Sequence, residues 1–241
     1  MTIRNLLLAV FMLAGICAMA QSRLYLKPSV GIGFNNIRES NSGPITLKKS
    51  QPVIGYSKTL GIGYKKNKIG FETGIGYLKT GRTASNISLS TATSPSNISL
   101  EWRPSNHYVT VPLRMTYQLD VTKKFSVVPA VGGSFSYNIS ATDRIKGQGA
   151  TETIKLPGSF HKGGIKTFGL FGEAQLNGSY RLNKNIDIFG GPSFQYMITD
   201  IGKKSANTAP DYKANPYTWG INAGINLYLS EPTKSADTPG N

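Results

Sequence analysis

Residues 107–138, HYVTVPLRMTYQLDVTKKFSVVPAVGGSFSYN, alternate apolar and polar side chains along two long arms joined by a short basic turn. On the first arm Val109, Val111, Leu113, Met115, Tyr117 and Leu119 share one face, and Thr110, Arg114, Thr116 and Gln118 share the other. On the second arm Phe125, Val127, Val131, Phe135 and Tyr137 oppose Ser126, Ala130, Gly132, Ser134, Ser136 and Asn138. Successive side chains of a strand point to opposite faces, so a period of two predicts a β-hairpin with one oily and one polar surface. Both arms exceed the roughly five or six residues of an ordinary soluble strand. They match the length of about ten residues that a tilted strand needs to cross a bilayer.

The same pattern recurs at 24–35, 53–65, 69–80, 166–182, 186–198 and 217–229, giving eight candidate strands with the two arms of the first hairpin. One face is Leu-, Ile-, Val-, Phe- and Tyr-rich. The other is built from Gly, Ser, Thr, Asn and Gln with a few charges. A soluble eight-stranded barrel would turn the oily face inward and cover its outside with polar side chains, whereas this small, polar set fills a narrow interior. The expected fold is therefore all-β, an eight-stranded antiparallel up-and-down transmembrane β-barrel. Lys58 breaks the oily face of the second strand, which predicts either a position near the outer rim or a bulge that re-aims it. Phe189 and Met197 are apolar exceptions on the polar face of the seventh.

The connections point the same way. Short basic links at 66–68, 121–124 and 183–185 alternate with long polar ones at 36–52, 81–106, 141–165 and 199–216. Outer-membrane barrels pair short periplasmic turns with longer extracellular loops and use an even number of strands. Closing the sheet leaves no unpaired edge in lipid. Tyr64, Tyr117 and Tyr180 fall near the short-turn ends, and Tyr77, Tyr137, Tyr196, Tyr217 and Trp219 near the long-loop ends. Two aromatic girdles are expected at the headgroup levels.

Residues 1–20 carry an early Arg4, an apolar run from Leu6 to Ile16 and a small-x-small ending at Ala18-Met19-Ala20. This predicts a secretory signal peptide with Gln21 first in the mature chain. A lipoprotein signal is disfavoured because bulky Ile16 precedes Cys17, where a small residue is expected. Residues 21–229 are then the barrel, and 230–241 a short polar periplasmic tail. Cleavage removes the single cysteine, and with it disulfide or thiolate chemistry. It lowers the formal charge from +15 to +14, because Arg4 is lost without an acid. In an exported chain such an excess suits anionic lipid and phosphorylated surface glycolipid rather than nucleic acid.

The segment YVTVPLRMTYQ at Tyr108–Gln118, with the hairpins KNKIGFETGIGY, KKFSVVPAVGGSFSY and NKNIDIFGGPSFQY, resembles the Bacteroidota outer-membrane β-barrel proteins, a "porin family" similar in build to the small OmpA and OmpX barrels. The resemblance spans about residues 1–229 and implies location and fold much more firmly than activity. Members commonly end on an aromatic residue of the last strand. This chain instead continues past Tyr228 and Leu229 into a polar tail.

Lys27, Glu72, Arg114, Glu173, Arg181 and Asp187 take the inward parity. Arg181 and Asp187 lie symmetrically about Lys184 and should pair across the turn, while Glu72 and Arg114, on neighbouring strands, are the expected deeper pair. Buried charges require partners. Because an eight-stranded barrel is just wide enough for side chains to fill it, a plug is expected rather than a pore. The expected role is structural or adhesive at the cell surface, with no enzymatic activity. A narrow porin-like channel is the first alternative and a rim enzyme acting on lipid A the second. The only histidines, His107 and His161, fall near the outer rim beside Ser105, Ser159, Glu101 and Asp143 without a tight motif, and no cofactor or metal is expected. Within 81–106 the pentapeptide Ser-Asn-Ile-Ser-Leu occurs at 85–89 and again at 96–100, which predicts a hairpin prolonging the strands beyond the membrane. The expected partners are outer-membrane lipid and lipopolysaccharide, together with a surface protein or glycan met by loop 81–106. The chain is expected to be monomeric.

Overall fold

The computed structural model describes residues 22–40, 45–91, 94–147, 150–157, 167–201 and 213–229. The expected signal peptide and the tail 230–241 lie outside them. Ten strands run in chain order: β1 (Ser22–Ser40), β2 (Ile45–Lys66), β3 (Ile69–Thr91), β4 (Ser94–Tyr117), β5 (Leu119–Asp120), β6 (Phe125–Gly147), β7 (Ala150–Pro157), β8 (Phe168–Asn183), β9 (Ile186–Met197) and β10 (Lys213–Tyr228). Their order in the sheet is β4-β3-β2-β1-β10-β9-β8-β6, and a β4–β6 pairing closes the ring. Eight positions therefore form the barrel. β5 occupies no ninth position, because it continues the line of β4 along β6 after a break at Gln118. The Gln118 backbone N–H at that break donates to the Lys68 carbonyl at 2.7 Å. β7 lies off the ring, paired to β6.

Parity follows the sequence pattern. Val30, Ile32, Leu60, Ile75, Leu113, Phe135, Leu176 and Ile221 face outward and are exposed, whereas Lys27, Glu72, Thr110, Ser134, Asn177 and Ser179 are buried inside. At the β2–β3 turn Asn67 takes a φ of 54°, a conformation that asparagine tolerates better than most side chains.

Much of the long connections is strand rather than loop. β2, β3, β4 and β6 span 22 to 24 residues each, more than twice the roughly ten that a bilayer requires. Beyond Asn35↔Val53 the walls part. β1 follows β10 to Ser40↔Lys213, while β2 follows β3 to Ile45↔Leu89. A five-stranded sheet, β2–β3–β4–β6–β7, thus rises above the barrel. The repeated pentapeptides meet in it as a hairpin, with Ile87 opposite Ile98 and Leu89 opposite Ser96. That ribbon has no free edge along its full length, because β4 from Leu100 to Ser105 is paired with β6. Among the described residues, the edges of this sheet are β7 on one side and, before Val53, β2 on the other.

Candidate functional site: a closed interior and an aromatic rim

The interior charges pair differently from the register. Glu72 and Arg114 are directly opposite on β3 and β4, yet Glu72 binds Lys27, whose Nζ donates to its two oxygens at 2.7 and 2.8 Å. The Tyr25 hydroxyl donates to the same carboxylate at 2.8 Å, and the Lys27 ammonium lies 4.5 Å from the centre of the Phe189 ring. β1 and β3 are separated by β2, and the bridge between them passes over Gly63, which is opposite both Tyr25 and Glu72. A Cβ on Gly63 would come within 2.1 Å of the Tyr25 ring. Arg114 instead crosses to β8, where its Nε donates to Glu173 at 2.5 Å. Gln195 Nε2 donates to the other Glu173 oxygen at 3.0 Å. The expected Glu72–Arg114 pair is thereby corrected: long side chains in a narrow interior reach partners that are not strand neighbours. Arg181 and Asp187 face each other in register at 3.6 Å. That distance gives charge proximity without a hydrogen bond. The Tyr228 hydroxyl donates to Asp187 at 2.8 Å.

A second barrier lies nearer the long-loop end. Ile37, Leu78, Tyr108, Phe171, Met197, Ile201 and Ala214 form a buried apolar cluster, with Tyr108 and Phe171 edge to face at 5.8 Å. Met197, an anomaly by sequence, belongs here. Phe189, the other anomaly, covers Lys27. Leu78 and Phe171 carried the same signal, an apolar residue at inward parity. The interior cavity between the two barriers, lined by Ser57, Thr110, Arg114, Gln175 and Asn222, measures about 40 Å³. One nearer the short turns, lined by Lys65, Gln118, Asp187 and Asn226, measures about 30 Å³. Each has room for only a few waters.

The expected girdle residues face outward. Tyr64, Tyr117 and Tyr180 stand near the short turns, with Tyr117 opposite Ile69 and Tyr180 opposite Ile188. Tyr77 and Tyr137 flank Val109, Tyr196 is opposite Tyr217, and Trp219 packs on Phe34 at 5.3 Å. Tyr56, not assigned to the girdle from sequence, stacks on Tyr77 at 5.8 Å. Lys58 remains on the outer face, one outward position below Tyr56. The register shift between Pro52 and Tyr56 does not turn it inward.

Of the rim residues considered for catalysis, His107 is hydrogen-bonded through Nδ1 to the Tyr77 hydroxyl. Glu101 is paired with Arg103 at 2.5 Å. Burial of Asp143, in the part of β6 above the barrel, pushes its carboxyl above the usual range. His161 and Ser159 lie outside the described residues. Among the described residues, no three His, Cys, Asp or Glu side chains gather as a metal site.

Solved structures with a similar chain trace include Neisserial surface protein A, at 14% identity and a TM-score of 0.42 over 85% of this chain and 96% of that chain. The attachment invasion locus protein Ail of Yersinia pestis, in complex with the heparin analogue sucrose octasulfate, is 15% identical at a TM-score of 0.39 over 86% and 99%. The outer membrane protein OprG from Pseudomonas aeruginosa is 13% identical at a TM-score of 0.41 over 86% and 96%. No curated protein matches the chain. The family described as the outer membrane protein beta-barrel domain matches residues 6–226. With nearly the whole ring inside that match, the chain belongs to the outer membrane protein beta-barrel domain family.

Proposed function

We propose that this is a sealed barrel with a structural and surface-binding role, which anchors in the outer membrane and presents the sheet above it to a partner. The observation that carries this reading is the coincidence of a doubly blocked interior with strands that continue well past the barrel. A solute path would have to displace both ion pairs and the apolar cluster. The surface sheet, by contrast, ends on β7, an edge strand that offers backbone groups to an extended partner by strand addition. The lipid A enzyme reading is less favoured because His107 faces outward and is engaged by Tyr77. The cleaved leader, the periplasmic tail and a Bacteroidota origin belong to the same proposal. Mass spectrometry of outer-membrane fractions should find Gln21 as the first residue.

Two experiments test the role. Refolded protein in a planar bilayer should give no stepwise current; stable unitary currents would replace the sealed barrel with the channel alternative. Cells displaying the chain should adhere to a panel of matrix proteins and glycans, and removal of residues 148–157 should abolish adhesion with the barrel still heat-modifiable. Equal adhesion with and without that segment would place the contact elsewhere.

A further inference from the structure

The lipid-facing wall holds a cluster that neither barrier explains. Register places Tyr56 of β2 opposite Lys79 of β3, and Lys79 opposite His107 of β4, with Lys58 opposite Tyr77 two residues nearer the periplasm. These side chains share the outward parity of exposed Ile54, Leu60 and Ile75. The ammonium groups of Lys58 and Lys79 each lie 5.9 Å from the centre of the Tyr56 ring. Tyr56 is the next outward residue toward the long-loop end, so the Lys58 ammonium lies within reach of the aromatic rim. Neither lysine forms an ion pair among the described residues. Below them a shallow apolar groove of about 580 Å³ runs down the outer wall across β10, β1, β2 and β3, lined by Lys58 itself with Val30, Leu60, Ile75, Ala223 and Ile225.

A lysine facing lipid is costly at the midplane and nearly free near the interface. Two lysines that meet at one ring with no acid beside them, above an apolar groove, match a ligand with an anionic head and a hydrocarbon tail. We propose that this wall is a binding site for a phosphate-bearing lipid of the outer leaflet. The phosphate sits against Lys58 and Lys79, the tyrosine pair packs beside the headgroup, and an acyl chain lies in the groove. The site is separate from the β7 edge, so it goes beyond the surface-binding role and can fail independently of it.

The test uses the refolded full chain in detergent micelles and counts bound lipid by native mass spectrometry. The probes are bis-phosphorylated lipid A, lipid A stripped of phosphate, and inorganic phosphate as competitor. Bis-phosphorylated lipid A should bind, the stripped form should not, and inorganic phosphate at equal concentration should not displace it. Lys58→Gln with Lys79→Gln should weaken binding by at least about tenfold, the factor that corresponds to about 1.4 kcal/mol. Lys58→Arg with Lys79→Arg should retain binding, which separates charge from general damage. Ala223→Trp, which fills the groove and leaves both lysines, should weaken binding with heat-modifiable folding preserved. Equal affinity of the double glutamine variant and the parent, or of the two lipid A forms, would overturn the phosphate site. Unchanged binding by Ala223→Trp would overturn the acyl groove. Adhesion and conductance decide the surface role separately.

Discussion

Arg114 is bound to Glu173 at 2.5 Å and sits opposite Glu72 without bonding to it. Removing one member of a buried pair costs about 3–5 kcal/mol, because the other charge is left uncompensated. Arg114→Leu should therefore lower the denaturant midpoint through Glu173. Adding Glu173→Leu should restore most of the loss, whereas adding Glu72→Leu should deepen it by stranding Lys27. A double-mutant cycle with a strong 114–72 coupling and a weak 114–173 coupling would contradict this geometry. Gly63 is the second decisive residue. Its missing Cβ leaves the space through which Tyr25 reaches Glu72, so Gly63→Val should break that bond and lower the heat-modification temperature, while valine at outward Leu60 should not. At the short turn between β5 and β6, the Gln118 amide donates to the Asp120 carboxylate and holds its carboxyl below the usual range. A depressed folded pKa gives stability that is present above the unfolded value, near 3.8, and lost as pH falls through the folded value. Amide exchange at Val121 and Thr122 should accelerate only in strong acid. Asp120→Asn should make it fast at neutral pH.

Among the elements, the apolar cluster of Leu78, Tyr108, Phe171 and Met197 makes the sharpest prediction. Truncating a buried aromatic to alanine costs about 3–5 kcal/mol, so Phe171→Ala should destabilise the barrel measurably in urea titration. It should still give no current, because the Lys27–Glu72 and Arg114–Glu173 pairs block the path below it. Current from the single variant would show that the ion pairs do not seal the barrel. The strands themselves were legible in the sequence, because parity depends only on a period of two, and Val109 to Leu119 displays it without interruption. Their true lengths were legible only within 81–106, where the repeated pentapeptide predicts the hairpin that the register shows. Polar stretches such as 36–52 and 141–165 read as loop when judged by lipid-facing apolarity, yet above the membrane both faces meet water and alternation no longer marks a strand. The partners of the inward charges were also hidden. Sequence fixes which Cα atoms are opposite, while the reach of Arg114 and Lys27 across a closed ring depends on where glycines such as Gly63 leave room.

At the scale of the whole molecule, the first and last strands of the ring, β1 and β10, pair along a seam from Tyr25↔Tyr228 at one end to Ser40↔Lys213 at the other. The Tyr25 and Tyr228 rings lie 5.3 Å apart at the lower end, and the Arg23 guanidinium stands 3.9 Å from the centre of the Tyr228 ring. The middle of the seam carries Gly33 opposite Gly220, a pairing with little side-chain grip. This layout bears on how the barrel is made. Every other pairing in the ring joins segments that a hairpin or short excursion brings together, whereas the seam joins the first strand of the ring to the last. Contacts so distant in sequence are slow to form, and a glycine-rich middle tolerates sliding until a bulky residue fixes the register. The Tyr25–Tyr228 contact is therefore expected to set the register of this seam. Tyr228→Ala should slow the appearance of the heat-modifiable form in a refolding time course more than it lowers the final yield.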